Sequence, residues 1–512
     1  MPIEIVHREI GSVIADESSP SFDTFRFKAN ANEYVYPGTL VGAFVEQSKF
    51  LIGRISASLE INPHESAGRA KVREAMGIPA DYPQEELSTN IYRVYEADII
   101  EEGIIQGEDQ LEITEPSDMA KAGSQVFIPS EDVVARAMGF EQDLETSLCL
   151  GRTRVAADTS DGQPQPNNVL LKPSVIQRHI FVGGTTGSGK SFATGIILEE
   201  INKLHLPIII LDSQNEYIQL TEGLGGRVLR PGRDYTVRIS SLIESEVLDL
   251  VPTLRGTLGY DLLAFTFLRL KRDLIAGRIR SFGLRELLTE MRNDAPTLEL
   301  RANSMNLALQ RTQSSLERHR FLGDATNWVE LLRQYPVINV DCGDLDQGQL
   351  QLVVGATLRE LQHLRINEQI APYVAVLDEA HLLVPAGEES PCKQVIRENV
   401  RIGRHYGICM ILITQSPVDI DNKTIRQCNT RFIFALEPDQ LEAIRGVKAD
   451  ATEDMLSRLP KMPRGTCILS GTYETIKHAV PIKIRSDRRT GEGGAAPNIF
   501  EEVRTRWTQR NR

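Results

Sequence analysis

Residues 184–191 read Gly-Thr-Thr-Gly-Ser-Gly-Lys-Ser, which is the spacing Gly184-x-x-x-x-Gly189-Lys190-Ser191 of a phosphate-binding loop. Successive backbone N–H groups across Gly184, Thr185, Thr186, Gly187, Ser188, Gly189, Lys190, Ser191 and Phe192 can cradle phosphate oxygens at a helix start. The glycines allow close backbone approach. Lys190 adds a point charge on the β- and γ-phosphates, and Ser191 offers a hydroxyl to Mg²⁺. A glycine-rich turn that binds nothing is the plain alternative. The expected ligands are ATP and Mg²⁺.

A second group lies at Tyr373-Val-Ala-Val-Leu377, an apolar strand tipped by Asp378-Glu379. Asp378 would hold the Mg²⁺ shell and Glu379 would orient and deprotonate an attacking water. Downstream, Ile408–Thr414 ends in Gln415, which either senses the γ-phosphate or merely caps its strand. Between them Arg397, Arg401 and Arg404 recur at helical spacing on one face. Such a stripe is usually solvated, but arginine suits the charge of a transferring phosphoryl group, in its own chain or a neighbour's. Arg178, just before the loop's strand, needs an anionic partner or a subunit boundary. Asp212 ends the apolar run Pro207–Leu211, facing a ligand crevice or capping the turn that follows.

These residues need strands and helices to position them. The short apolar strand Ile180–Val182 enters the loop and the helix-like run Phe192–Ile201 leaves it. The solid apolar run Pro207–Leu211 reads as a parallel strand buried on both faces, and strands resume at Val337–Val340, Tyr373–Leu377, Ile408–Thr414 and Arg431–Ala435. In the additional-strand class of P-loop ATPases, the strand ending in Thr414 lies between the loop strand and the Asp-Glu strand. Residues 240–335 lose strand character and read as a helical insertion, with amphipathic spacing at Leu262–Leu274 and Leu284–Met291. Upstream, Ile10–Ile14, Phe22–Lys28, Gly38–Val45, Phe50–Leu59, Asn90–Asp98 and Gln125–Ile128 suggest six short strands of a small barrel. Asn62–Ser88 interrupts them, Glu131–Ala137 looks helical, and Asp158–Asn168 reads as a turn-rich loop. Thr466–Leu469 and Thr475–Val480 form a final β-like pair.

The expected fold is α/β: a RecA-like P-loop ATPase core of the additional-strand class, with an N-terminal small β-barrel and a helical insertion. The expected domains are 1–150 for the barrel and junction, 151–484 for the ATPase, and 485–512 for a tail carrying Phe500 and Trp507. The chain has 512 residues, enough for several cores, and carries 70 acids against 57 bases for a net charge of −13. That balance argues against a diffuse basic surface for nucleic acid but permits a local basic channel. Arg269, Lys271 and Arg272 are candidates for such contacts, though a charged helix face is usually solvated. Six cysteines without a C-x-x-C pair suggest reduced thiols, and no apolar run approaches a membrane span. A cytoplasmic protein without membrane attachment is expected.

Together the motifs resemble the HerA family of hexameric DNA-translocating ATPases, relatives of FtsK. The matching residues are Arg178-His179, Gly184 to Ser191, Leu211-Asp212-Ser-Gln-Asn-Glu216-Tyr217, Leu377-Asp378-Glu379-Ala380-His381, Gly403-Arg404-His-Tyr-Gly407 running to Gln415, and Gln427 to Arg431. The resemblance implies a homo-oligomeric ring, a hexamer, with nucleotide between subunits, DNA in the central channel and a nuclease or other effector docked on it. By position it also implies that Arg404 and Arg178 act across the subunit boundary. One departure stands out: relatives often read Asp-Pro-His-Gly-Glu-Tyr after the second strand, whereas this chain has Ser213, Gln214 and Asn215 in the middle places. Three functions follow from this reading: a DNA translocase feeding a nuclease in end processing or phage defence, a nucleotide-gated scaffold for an effector, and a conjugative-type DNA pump.

Overall fold

The computed structural model describes residues 4–15, 19–30, 33–35, 38–61, 92–107, 110–157, 164–324, 326–446, 451–488 and 490. The expected interruption at Asn62–Ser88 and the tail helix with Phe500 and Trp507 lie outside the described residues. Contacts divide the chain into two compact units: residues 1–173 with 448–462 and 466–485, and residues 174–447 with 463–465 and 486–512.

The first unit begins with β1 (Val6–Ile14), β2 (Thr24–Ala29), β3 (Leu40–Glu46), β4 (Lys49–Ile61), β5 (Tyr92–Gln106), β6 (Gln110–Thr114) and β7 (Gln125–Pro129). Their order is β2-β1-β7-β3-β4-β5-β6, and a further β2–β5 pairing closes six of them into a barrel with β6 appended to β5. Closure leaves those six without a free edge. Inward positions alternate along each strand, as in β2, where Phe25 and Phe27 are buried and Lys28 is exposed. The Phe27 and Tyr95 rings stack with centroids 5.4 Å apart in a core that includes Ile10, Val41, Leu51 and Val126. The six barrel strands are those expected from the sequence; β6 is an addition. A helix at Glu131–Met138 follows, N-capped by Ser130.

Next come β8 (Leu148–Ala157) and β9 (Pro164–Leu171), an antiparallel pair. The turn-rich loop expected up to Asn168 is therefore shorter, because residues from Pro164 onward pair with β8 despite their proline, glutamine and asparagine content. The boundary expected at residue 150 would cut β8.

The second unit holds β10 (Ile180–Gly183), β11 (Ile208–Asp212), β12 (Arg227–Leu229), β13 (Val337–Asp341), β14 (Tyr373–Leu377), β15 (Ile408–Thr414) and β16 (Thr430–Ile433). They form a parallel array in the order β12-β13-β11-β14-β15-β10-β16. Every residue of β10, β11, β13, β14, β15 and β16 is buried, which explains their largely apolar sequence. Strand β15 lies between β10 and β14, as the additional-strand class requires. Between β12 and β13 the chain forms helices at Glu244–Asp249, Leu258–Ile275, Leu284–Asp294, Ala302–Arg318 and Trp328–Gln334, the helical insertion. The last strands, β17 (Thr466–Gly471) and β18 (Val480–Ile484), pair with each other, and β18 pairs with β8, so they belong to the first unit. The architecture is an α/β P-loop ATPase core with an N-terminal barrel.

Candidate nucleotide site

The phosphate loop joins β10 to a 14-residue helix, Lys190–Lys203. Its path requires glycine: Gly187 has φ 77° and Gly189 has φ 108°, a region that side-chain-bearing residues rarely adopt. The loop's first two amides are already engaged, Gly184 N–H to the Thr414 carbonyl (3.2 Å) and Thr185 N–H to the Ala435 carbonyl (2.7 Å). They anchor the loop to the chain at the ends of β15 and β16. The phosphate cradle thus narrows to amides further along, and the helix's first turn leaves those of Lys190, Ser191 and Phe192 without intrahelical acceptors. Lys190 Nζ donates across the loop to the Thr185 carbonyl at 3.0 Å. Burial pushes the Lys190 ammonium down from its ordinary value, while the charges of Glu379, Glu216 and Asp378 pull it up.

The Asp-Glu pair sits at the tip of β14. Asp378 is buried, and its carboxyl is pushed well above the ordinary range by burial and by the neighbouring acids Asp212, Glu379 and Glu216. Glu379 is also buried and adopts φ 46°, and its Oε2 has no hydrogen-bond partner. His381 Nδ1 lies 3.3 Å from that oxygen and pairs with Thr414 Oγ1 at 3.1 Å. Gln415, at the end of β15, accepts a hydrogen bond from Thr186 Oγ1 at 2.6 Å, so the strand tip and the phosphate loop touch. Three carboxylates, Glu379, Glu216 and Asp378, act on Lys190, an excess of negative charge that suits a divalent cation. Among the described residues no three His, Cys, Asp or Glu side chains form a metal cluster of their own. Ser191 and Asp378 fit Mg²⁺, which keeps waters and phosphate oxygens as its other ligands. Ser191 Oγ here donates to the Glu216 carboxylate.

Asp212 does what the plainer reading expected. Its buried carboxylate accepts from the N–H groups of Gln214 (3.2 Å), Glu216 (3.1 Å) and Tyr217 (2.9 Å) and from Asn339 Nδ2 (3.2 Å). It therefore shapes the turn after β11 and is not free to meet a ligand.

The arginines fall elsewhere. Arg397 is tied to Asp421 by two hydrogen bonds of 3.1 and 2.9 Å. Arg401 and Arg404 are exposed on the helix Lys393–Tyr406. Arg404 lies just before β15 begins, and Arg178 is half-buried just before β10 begins. The strands are parallel, so both arginines lie at the amino ends, whereas the phosphate loop lies at the carboxyl end. Four residues of β10 and seven of β15 separate these ends by ~13 and ~23 Å. His179 links the two arginine-bearing segments, with Nε2 to the Val400 carbonyl at 3.0 Å and Nδ1 accepting from Met410 N–H at 3.1 Å.

Two candidates for nucleic-acid contact are engaged internally. Arg269 pairs with Asp273, Glu290 and Asp294, and Lys271 Nζ donates to the Ser240 carbonyl at 2.9 Å. Only Arg272 of the three is exposed. Sequence reasoning missed Arg488, whose guanidinium lies 5.7 Å from the centre of the Phe192 ring, and Thr490, which donates to the buried Glu199. It also missed Ser213 and Gln214, which donate to Asp378 and Glu379. Long-range pairings of this kind leave no periodic signal.

Among known proteins, the family described as "Helicase HerA, central domain" matches residues 161–361. The "DNA double-strand break repair helicase HerA" of Pyrococcus furiosus is 21% identical over 554 aligned positions, covering 96% of each chain. Its namesake in Sulfolobus acidocaldarius is 22% identical, covering 88% of this chain and 96% of that one. A solved structure of VirB4 from Thermoanaerobacter pseudethanolicus superposes with a TM-score of 0.49 at 18% identity, over 68% of this chain and 98% of that one. Matching the central domain, and aligning almost end to end with HerA helicases around a phosphate loop and Asp-Glu tip so arranged, the chain is similar to the HerA family of P-loop ATPases.

Proposed function

We propose that this chain is an ATP-driven DNA translocase that assembles as a ring, a hexamer, and feeds DNA through a central channel to a partner nuclease or other effector in DNA end processing or phage defence. The observation that carries the reading is the polarity of the parallel sheet. Phosphate loop, Asp378, Glu379 and Gln415 share its carboxyl edge, while Arg404 and Arg178 sit at its amino edge. The arginines are too far away to serve their own loop, so they suit a neighbour's. That placement supports hydrolysis at a seam between subunits, which would couple each hydrolysis event to movement of adjacent subunits. The names of the relatives, DNA double-strand break repair helicases, support DNA as the polymer moved.

In such a site the amides after Thr186 and the Lys190 ammonium hold the β- and γ-phosphates. Glu379 takes a proton from the attacking water. The water oxygen bonds to the γ-phosphorus, the bond to the bridging oxygen breaks, and ADP and inorganic phosphate leave. Mg²⁺, held by Ser191 and Asp378, would neutralise charge on the phosphate oxygens. Gln415 hydrogen-bonds the γ-phosphate or the water, and the neighbour's arginines offset charge on the leaving oxygen. Among the described residues no helix is long and apolar enough to cross a membrane, in keeping with a cytoplasmic ring.

The test is steady-state ATP hydrolysis with and without duplex DNA, with Lys190→Ala and Glu379→Gln as controls. A DNA-stimulated rate lost in both variants is expected; a wild-type rate indifferent to DNA, with no translocation, contradicts the reading. The net charge of −13 favours a second reading, a nucleotide-gated scaffold for an effector enzyme. Effector activity that survives Glu379→Gln would favour it.

A further inference from the structure

The turn after β11 places two side chains directly on the Asp-Glu pair. Ser213 Oγ donates to Asp378 Oδ2 at 3.0 Å, and Gln214 Nε2 donates to Glu379 Oε1 at 3.0 Å. The turn is held from beneath by the four donors that converge on the Asp212 carboxylate. Asn215 completes it at φ 61°, a conformation asparagine tolerates. A rigid turn is a good base for an amide that must hold something else in place.

What it holds is a strained and half-satisfied carboxylate. Glu379 sits at φ 46°, a conformation seen mostly where function requires it. Oε1 is occupied by Gln214, while Oε2, also buried, makes no hydrogen bond and has His381 Nδ1 3.3 Å away. A buried carboxylate oxygen without a donor is an open acceptor. If Gln214 were absent, the carboxylate could rotate, and neither oxygen would be committed to a water. Gln214 is itself exposed, so packing does not explain its presence; its side-chain hydrogen bond to the buried Glu379 does.

We infer that Gln214 is a positioning residue for hydrolysis: its amide fixes one oxygen of Glu379 so that the other is presented to the attacking water. The inference rests on the ATPase reading above. An amide does this without changing charge over the working pH range.

The test compares wild type with Gln214→Leu, Gln214→Ala and Gln214→His, the last retaining an N–H donor. Three quantities are read: kcat and KM for ATP, affinity for a fluorescent ATP analogue in EDTA, and melting temperature without nucleotide. Loss of a hydrogen bond to a charged group predicts that Leu and Ala lower kcat about tenfold or more. KM, analogue affinity and melting temperature should stay close to wild type, and His should restore most of kcat. A kcat for Gln214→Leu equal to wild type overturns the inference, and so does a loss matched by equal losses of affinity or melting temperature. A wild-type protein that hydrolyses no ATP would overturn the ATPase reading as well, whereas active wild type with an unaffected Gln214→Leu overturns this inference alone.

Discussion

His179 shows how much a single side chain fixes at this site. Its backbone is left-handed at φ 61°, and both ring nitrogens are bound to backbone groups of the segments that follow the Asp-Glu strand. Burial pushes its imidazole down to about 4, so the folded chain holds it neutral. An unfolded histidine titrates near ~6.5. Between those values the unfolded chain takes up a proton that the folded chain refuses. The stabilising contribution is therefore whole above about pH 6.5 and is lost as pH falls toward 4. At pH 5 the loss should be about 2 kcal/mol. Asn tolerates the same backbone and does not titrate, so His179→Asn should be less stable at pH 7 yet lose less on going to pH 5. Urea midpoints at the two pH values check this, and equal pH slopes would contradict it. At the same scale, Lys190→Ala should abolish nucleotide binding without lowering the melting temperature, because burial penalises its charge in the empty loop. Equilibrium binding and melting curves report both.

The helix Lys393–Tyr406 packs against β15 through Gly403. A Cβ there would run into the Ile408 carbonyl oxygen and come within 3.0 Å of His179 Cε1. Gly403→Ala should therefore cost about 1–3 kcal/mol. Arg401→Ala, on the exposed side of the same helix, should cost less than about 0.5 kcal/mol. Denaturant titration of both variants decides, and equal losses would mean that the helix does not seat as described. At this level the sequence was readable wherever burial on both faces forced a solid apolar run, as at Tyr373–Leu377 and Ile408–Thr414. The loop glycines were readable because the turn needs positive φ at Gly187 and Gly189. Strand β6 escaped notice because Gln110–Thr114 is short and polar and owes its form to pairing with β5. Strand β9 was hidden by residues that favour turns until β8 lay beside them. The bond from Gln214 to Glu379 spans 165 positions, and no local pattern encodes it.

Across the whole molecule, the parallel sheet separates the two groups of residues that the proposed chemistry needs. Its carboxyl edge carries the phosphate loop and the acids, and its amino edge carries Arg178 and Arg404. In the ring proposed above, one chain would contribute to two sites, one through each edge, and neither site would be complete in a single chain. Arg404→Ala should leave nucleotide affinity and melting temperature unchanged but remove ATP hydrolysis from the assembled protein. The most direct measurement mixes inactive Arg404→Ala and Lys190→Ala subunits in varying ratio and follows ATP hydrolysis. An Arg404→Ala loop facing a Lys190→Ala neighbour forms one intact site, so activity should reappear and peak at intermediate ratios. No recovery at any ratio would contradict catalysis shared between neighbouring chains.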